Sequence, residues 1–230
     1  MQIITAAPAI QRAGQHAVAA PKSSLTGEVF GKLINLSGRR RFTSQRVVLY
    51  AVLALKGKAG ALEVSREALS IFEKAHADLM RGNSEMPGIF CPELQQAYVT
   101  DGGDRAIREF IELARQTQDT IGNKVRGSAE LLNRLVESAT PLLGTLNGIT
   151  QLYEDLARRQ AQQAKKQLVG VISEIESIAK EARIVLFNAQ IAAARAQSSG
   201  REFSVVTKEL SNITARIDEL AREALRSSAH

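Results

Sequence analysis

Between Ile34 and Arg46 this 230-residue chain places four arginines, two serines, a threonine and a glutamine, in the run Ile34-Asn35-Leu36-Ser37-Gly38-Arg39-Arg40-Arg41-Phe42-Thr43-Ser44-Gln45-Arg46. The chemistry such a stretch supports is anion recognition, because a planar guanidinium offers forked hydrogen bonds to a planar oxyanion. Helical spacing separates the four arginines. Phe30, Ile34, Ser37, Arg41, Ser44, Val48, Ala51 and Leu55 follow one another at alternating intervals of four and three, the repeat of a packing seam. On that line Arg41 lies between the hydroxyls of Ser37 and Ser44, while Arg39, Arg40 and Arg46 fall off it and need no special ligand. A guanidinium in a seam is costly unless something negative meets it. Either an internal carboxylate such as Glu28, Glu67 or Glu73 does so, or an external anion does.

No other residues suggest reactive chemistry. Cys91 is the single cysteine, so the chain can form neither an internal disulfide nor a cysteine metal cage. His16, His76 and His230 are isolated from one another, which argues against a histidine metal or catalytic site. There is no nucleophile–base pairing and no phosphate loop, so the expectation is a non-enzyme with no cofactor and no metal. The formal charge of +6 is spread along mixed helical faces. A nucleic-acid site would need interleaved aromatics and a reading helix, and both are missing.

The elements that must position Arg41 are helices. Aromatics make up 4% of the chain and there is no tryptophan, while Ala, Leu, Ile, Arg, Glu and Gln dominate, a mixture suited to long helices packed through small aliphatic side chains. Residues 1–23 are unpatterned and expected to be a mobile leader. Ser23 or Ser24 is a candidate cap for a first helix running to about Lys56, where Gly57 and Gly60 stop it. A second helix is expected over 61–81, ended by Gly82-Asn83, and a third over about 93–100 after a proline-containing loop. Asp104 is a candidate cap for a fourth helix beginning at Arg105. Residues 24–125 thus read as an up-and-down helical sensor bundle. Residues 126–141 read as a connector helix, with Pro141 a kink or break.

From 142 to 228 the pattern is that of a long antiparallel coiled-coil hairpin with its tip near 198–200. Leu168, Val171, Ile175, Ile178, Ala182, Val185, Ala189 and Ala192 alternate at three and four, and Phe203, Val206, Leu210, Ile213, Ile217 and Leu220 resume the alternation after Ser198-Ser199-Gly200. Two helices cover such a stripe poorly, so a homodimer forming a four-helix bundle is expected. No run approaches the roughly 18–20 apolar residues of a membrane span. The amino terminus lacks a basic targeting segment, so the expected location is the cytoplasm.

Two resemblances bear on function. The segment from Ile178 to Leu210, with Asn188-Ala189, Ala192-Ala193-Ala194-Arg195-Ala196, Gly200-Arg201 and Phe203-Ser204-Val205-Val206, resembles the signalling tip of methyl-accepting chemotaxis receptors. That resemblance implies a histidine kinase and its coupling protein as partners, contacted through Asn188, Arg195, Arg201, Phe203 and Val206. Ala192 and Ser198 stand where the family carries glutamates, Glu202 and Gln197 where it carries glycines, and Arg183 where it has asparagine. The segment Ile34-Asn35-Leu36-Ser37-Gly38, with Arg41, Ser44, Gln45 and Arg46, resembles the N-terminal sensor domain of type IV pilus chemotaxis transducers, related to that of nitrate/nitrite sensor kinases. It implies that a small anion, nitrate or nitrite first, binds at Arg41 on a dimer interface, with support from Ser37, Ser44 and Arg46. The expected function is therefore a chemoreceptor-like signal transducer acting in chemotaxis or type IV pilus control. The alternative is a structural adaptor that joins receptor arrays without sensing.

Overall fold

A computed structural model describes residues 25–195 and 201–229, without the side chains of 201, 228 and 229. Among the described residues the fold is all-α: α1 (Gly27–Leu55), α2 (Ala61–Arg81), a short α3 (Pro92–Gln95) running into a π turn (Gln96–Thr100), α4 (Gly103–Gly122), α5 (Ser128–Arg195) and α6 (Arg201–Ala229). The expected leader and the expected tip near 198–200 lie outside the described residues.

Local chemistry sets the helix ends. Thr26 caps α1, its Oγ1 accepting from the Val29 N–H at 3.3 Å, with Glu28 favourably placed in the first turn. This cap lies two residues beyond Ser24; Ser23 and Ser24 are outside the described residues. α2 runs over the expected 61–81. After it the chain doubles back so tightly that a Cβ on Gly82 would lie 2.6 Å from the Gly88 nitrogen, and Gly82 sits at φ +78. Both features require glycine. α4 departs from expectation: Gly102 occupies the cap position without a side-chain bond, and Asp104 turns to His76 and Arg108 instead. Pro141 does not break α5. It lies on the exposed side of the helix, where water can satisfy the carbonyl its ring displaces.

One core joins α1, α2, α4 and the first part of α5. Leu132, Leu135, Ala139, Leu142, Leu146, Ile149 and Tyr153 of α5 alternate at three and four and are buried with Leu33, Val47, Phe72, Leu79, Ile107 and Phe110. Phe72 and Phe110 meet edge to face at 5.5 Å. Helix α1 runs antiparallel to α5, since Ser37 meets Thr150 while Arg41 meets Asn147.

Beyond the bundle α5 continues without interruption and pairs antiparallel with α6. Gln190 reaches Thr207, Arg183 pairs with Asp218, and Arg222 approaches Glu176. The line of contact is not the aliphatic seam. It runs through Ile172, Ala179 and Ala193 on one helix and Thr207, Thr214, Asp218 and Ala221 on the other, all buried. The aliphatic seam is displaced by one residue on each helix: Val171, Ile178 and Ala192 precede the contact residues of α5, and Val206, Ile213, Ile217 and Leu220 precede those of α6. One residue back is a rotation of about 100°. In antiparallel helices that rotation turns both stripes toward the same side of the hairpin. The result is a single open apolar face, on which Val185 is 66% and Val206 53% exposed. No helix among the described residues is long and apolar enough to cross a membrane.

If the first part of α5 belongs to the bundle core, Leu146→Ala destabilises the protein by about 2–5 kcal/mol in urea unfolding. A change within about 0.5 kcal/mol would contradict that placement.

Candidate functional site

The buried face of α1 follows Leu33, Ser37, Arg40, Ser44, Val47 and Ala51, again alternating at four and three. The arginine in the core is Arg40, which has no exposed surface. This corrects the expectation that Arg40 needs no special partner. Its Nη2 donates to Ser37 Oγ at 3.1 Å and to Tyr98 Oη at 3.0 Å, and its Nη1 donates to His76 Nδ1 at 3.2 Å. Its guanidinium also lies 5.6 Å from the centre of the Tyr98 ring, a cation–π distance. Its Nε is buried without a partner.

Among the described residues no carboxylate pairs with Arg40 directly. Because His76 Nδ1 accepts from Arg40, its proton resides on Nε2, which donates to Asp104 Oδ1 at 2.8 Å. Burial pushes the His76 pKa down to about 4, against the pull of Asp104 and with the help of Arg40. Burial opposes ionisation of Asp104, but the hydrogen bonds from Arg108 and His76 outweigh it and hold the carboxyl below its usual value. Tyr98, in the π turn, also approaches Tyr153 of α5 at 3.5 Å, and burial raises the Tyr153 phenol. Single π turns in proteins often mark functional positions. Here the turn presents Tyr98 to Arg40.

Arg41 is exposed. Its Nη1 donates to Asn147 Oδ1 of α5 at 3.2 Å, and the side chain folds back over Gly38, whose added Cβ would sit 3.3 Å from Nη2. Arg41 lines an open groove together with Ile34, Asn35, Gly38, Arg39, Phe42 and Ile71. The other three expected ligand residues are not gathered around it. Ser37 is buried and bonded to Arg40 and Thr150, and Ser44 is buried and donates to the Arg41 carbonyl at 2.8 Å. Arg46 lies over Tyr50, 5.7 Å from its ring centre. Of the carboxylates that could have met Arg41, Glu28 pairs with Lys32 and Glu73 with Arg115. No carboxylate among the described residues forms an ion pair with Arg41.

On the hairpin, Asn188, Arg195, Phe203 and Val206 are exposed, while the side chain of Arg201 is outside the described set. Asp218 Oδ2 receives Arg183 at 3.1 Å and Arg222 at 3.0 Å. Among the described residues no group of three or more His, Cys, Asp or Glu is placed to hold a metal.

Sequence reasoning missed Arg40, His76, Tyr98 and Asn147. The steps 37→40→44 and 37→41→44 fit a helical seam equally well, so periodicity alone does not choose between adjacent arginines. The deciding partners, His76 and Tyr98, lie 36 and 58 residues away in sequence.

Two consequences can be measured. Arg40→Ala removes a buried cation and strands its partners, lowering stability by about 3–5 kcal/mol, whereas Arg41→Ala changes it by about 0.5 kcal/mol or less. His76 titrates near 6.5 when unfolded and about 4 when folded, so the unfolded chain binds more protons between those values. Its contribution is therefore complete above about pH 6.5 and lost as pH falls toward 4, a loss of about 3 kcal/mol in urea unfolding. His76→Gln should flatten that slope.

Residues 29–100, which cover α1, α2, α3 and the π turn, match the family model of the type IV pili methyl-accepting chemotaxis transducer N-terminal domain. The chain is also similar to the biofilm dispersion protein BdlA of Pseudomonas aeruginosa, 27% identical over 131 residues, which is 55% of this chain and 30% of that protein. It is similar to the methyl-accepting chemotaxis protein McpB of Bacillus subtilis, 26% identical over 119 residues, which is 51% of this chain and 18% of that protein. The chain thus spans less than a third of the length of either relative. No solved structure matches it. Arg40, Arg41, His76 and Tyr98 all fall inside residues 29–100, the segment that matches the type IV pili methyl-accepting chemotaxis transducer N-terminal domain, in a chain distantly similar to methyl-accepting chemotaxis proteins.

Proposed function

We propose that the chain is a chemoreceptor-like signal transducer. Its bundle senses a small oxyanion, nitrate or nitrite, at Arg41, and its hairpin relays the signal to chemotaxis-type kinase partners. The observation that carries the sensing half is the state of Arg41: an exposed guanidinium on a groove, held by a neutral amide and by no carboxylate among the described residues. Brought close to a second copy across a dyad, two such groups repel, and a planar oxyanion between them accepts forked bonds from both. Ser37 and Ser44 support the site indirectly, by seating α1 in the core.

The relay half is supported by the hairpin's open apolar face. A monomer rarely exposes a contiguous stripe of this extent, and a second hairpin laid against it completes a four-helix bundle. In this reading the partner kinase and its coupling protein dock around Asn188, Arg195, Arg201, Phe203 and Val206. An adaptor that joins arrays without sensing would use the same hairpin and leave Arg41 idle.

Thermal melting separates the two. Nitrate at about 100 times its dissociation constant stabilises the native state by about 2.7 kcal/mol, raising the melting temperature by about 5 °C for a chain of this size. Arg41→Ala should lose that shift. No shift with nitrate or nitrite at any concentration, or an equal shift in the variant, favours the adaptor. For the hairpin, Ile178→Glu should convert a dimer to a monomer in light scattering; a wild-type monomer would overturn the pairing.

A further inference from the structure

Two hydrogen bonds tie α1 to α5, one turn apart. Ser37 Oγ and Thr150 Oγ1 lie 2.9 Å from each other, and Arg41 Nη1 donates to Asn147 Oδ1 at 3.2 Å. Ser37 and Arg41 are four residues apart on α1, and Asn147 and Thr150 three apart on α5, so both pairs share a helical face. The bonds are two rungs across antiparallel helices. The inner rung is buried and reinforced by Arg40, whereas the outer one is open to solvent.

The outer rung has a neutral acceptor. A carboxylate at 147 would neutralise Arg41 and repel an incoming anion, and an apolar residue would leave an incoming anion no resident bond to displace. The amide oxygen of Asn147 does neither: it fixes the Arg41 side chain while leaving its full positive charge. An oxyanion that takes the Nη1–H now held by Asn147 displaces the amide, because a charged acceptor bonds a guanidinium more strongly than a neutral one.

We propose that Asn147 is the resident competitor for Arg41, so that an oxyanion binds by replacing its amide and thereby breaks the outer rung between α1 and α5. This rests on the reading of Arg41 as the anion contact and adds how occupancy is transmitted. The inner rung persists, so α5 is released at one level and held at the next. Helix α5 is continuous from Ser128 to Arg195, and a change in its seating at 147 is a change at the root of the hairpin. Asn147 is thus a positioning residue that sets affinity and couples it to the signalling half.

The test is calorimetric titration of the full chain with sodium nitrate, on wild type, Arg41→Ala, Asn147→Ala and Asn147→Asp. Asn147→Ala should bind about fivefold tighter, since no resident bond has to be given up. Asn147→Asp should bind at least about tenfold more weakly. Hydrogen exchange over residues 144–150 supplies a second readout. Nitrate should accelerate it in wild type, and in Asn147→Ala it should be fast without nitrate. Binding that is lost in Arg41→Ala but unchanged in both Asn147 variants overturns the competitor role and leaves the Arg41 site standing. Absence of binding in wild type overturns both.

Discussion

The guanidinium of Arg40 has no exposed surface and, among the described residues, no carboxylate of its own, and its charge is answered by Asp104 through the ring of His76. A cation in that position is expensive unless every surrounding group is in place. Ser37 on α1, His76 on α2, Tyr98 in the π turn and Asp104 at the start of α4 must therefore be present together. Thr150 and Tyr153 bring in α5 through Ser37 and Tyr98. A single side chain in this way draws every long helix of the bundle into one arrangement. It also fixes the rotation of α1, and with it the side of the helix on which the next residue emerges. Arg41 is exposed because Arg40 is not.

Adjacent residues of one type therefore take opposite positions, one buried in the core and one exposed, and that division explains what could be read from the sequence. The ends of α2 are legible because Gly60 and Gly82 bracket it. The antiparallel hairpin is legible because a three–four seam runs on either side of a break. The start of α4 is not: Asp104 has the chemistry of a cap, but a buried histidine and a neighbouring arginine compete for its carboxylate and prevail. Pro141 looks like a break, yet it falls on the watered side of a helix that tertiary packing holds together. The choice between Arg40 and Arg41 cannot be made from spacing at all, since both complete the same alternation with Ser37 and Ser44.

The hairpin illustrates the same limit from the other direction. Its aliphatic seam is real, but the seam and the α5–α6 contact lie about 100° apart on each helix. Small and polar residues let the two helices approach, and the larger aliphatic side chains turn to a common outer face. That arrangement suits a bundle in which each helix has two neighbours, one from its own chain and one from another. Between the halves, α5 extends for 68 residues, about 100 Å at helical rise, and belongs to the core of the bundle at one end and to the hairpin at the other.

The division of labour between Arg40 and Arg41 is open to direct observation. Their side-chain Nε–H resonances can be followed separately by nuclear magnetic resonance while nitrate is added to the full chain. The Arg41 resonance should move in proportion to occupancy while that of Arg40, sealed in the core, stays in place. Movement confined to Arg40, or no movement of either at millimolar nitrate, would contradict the assignment of Arg41 as the exposed anion contact.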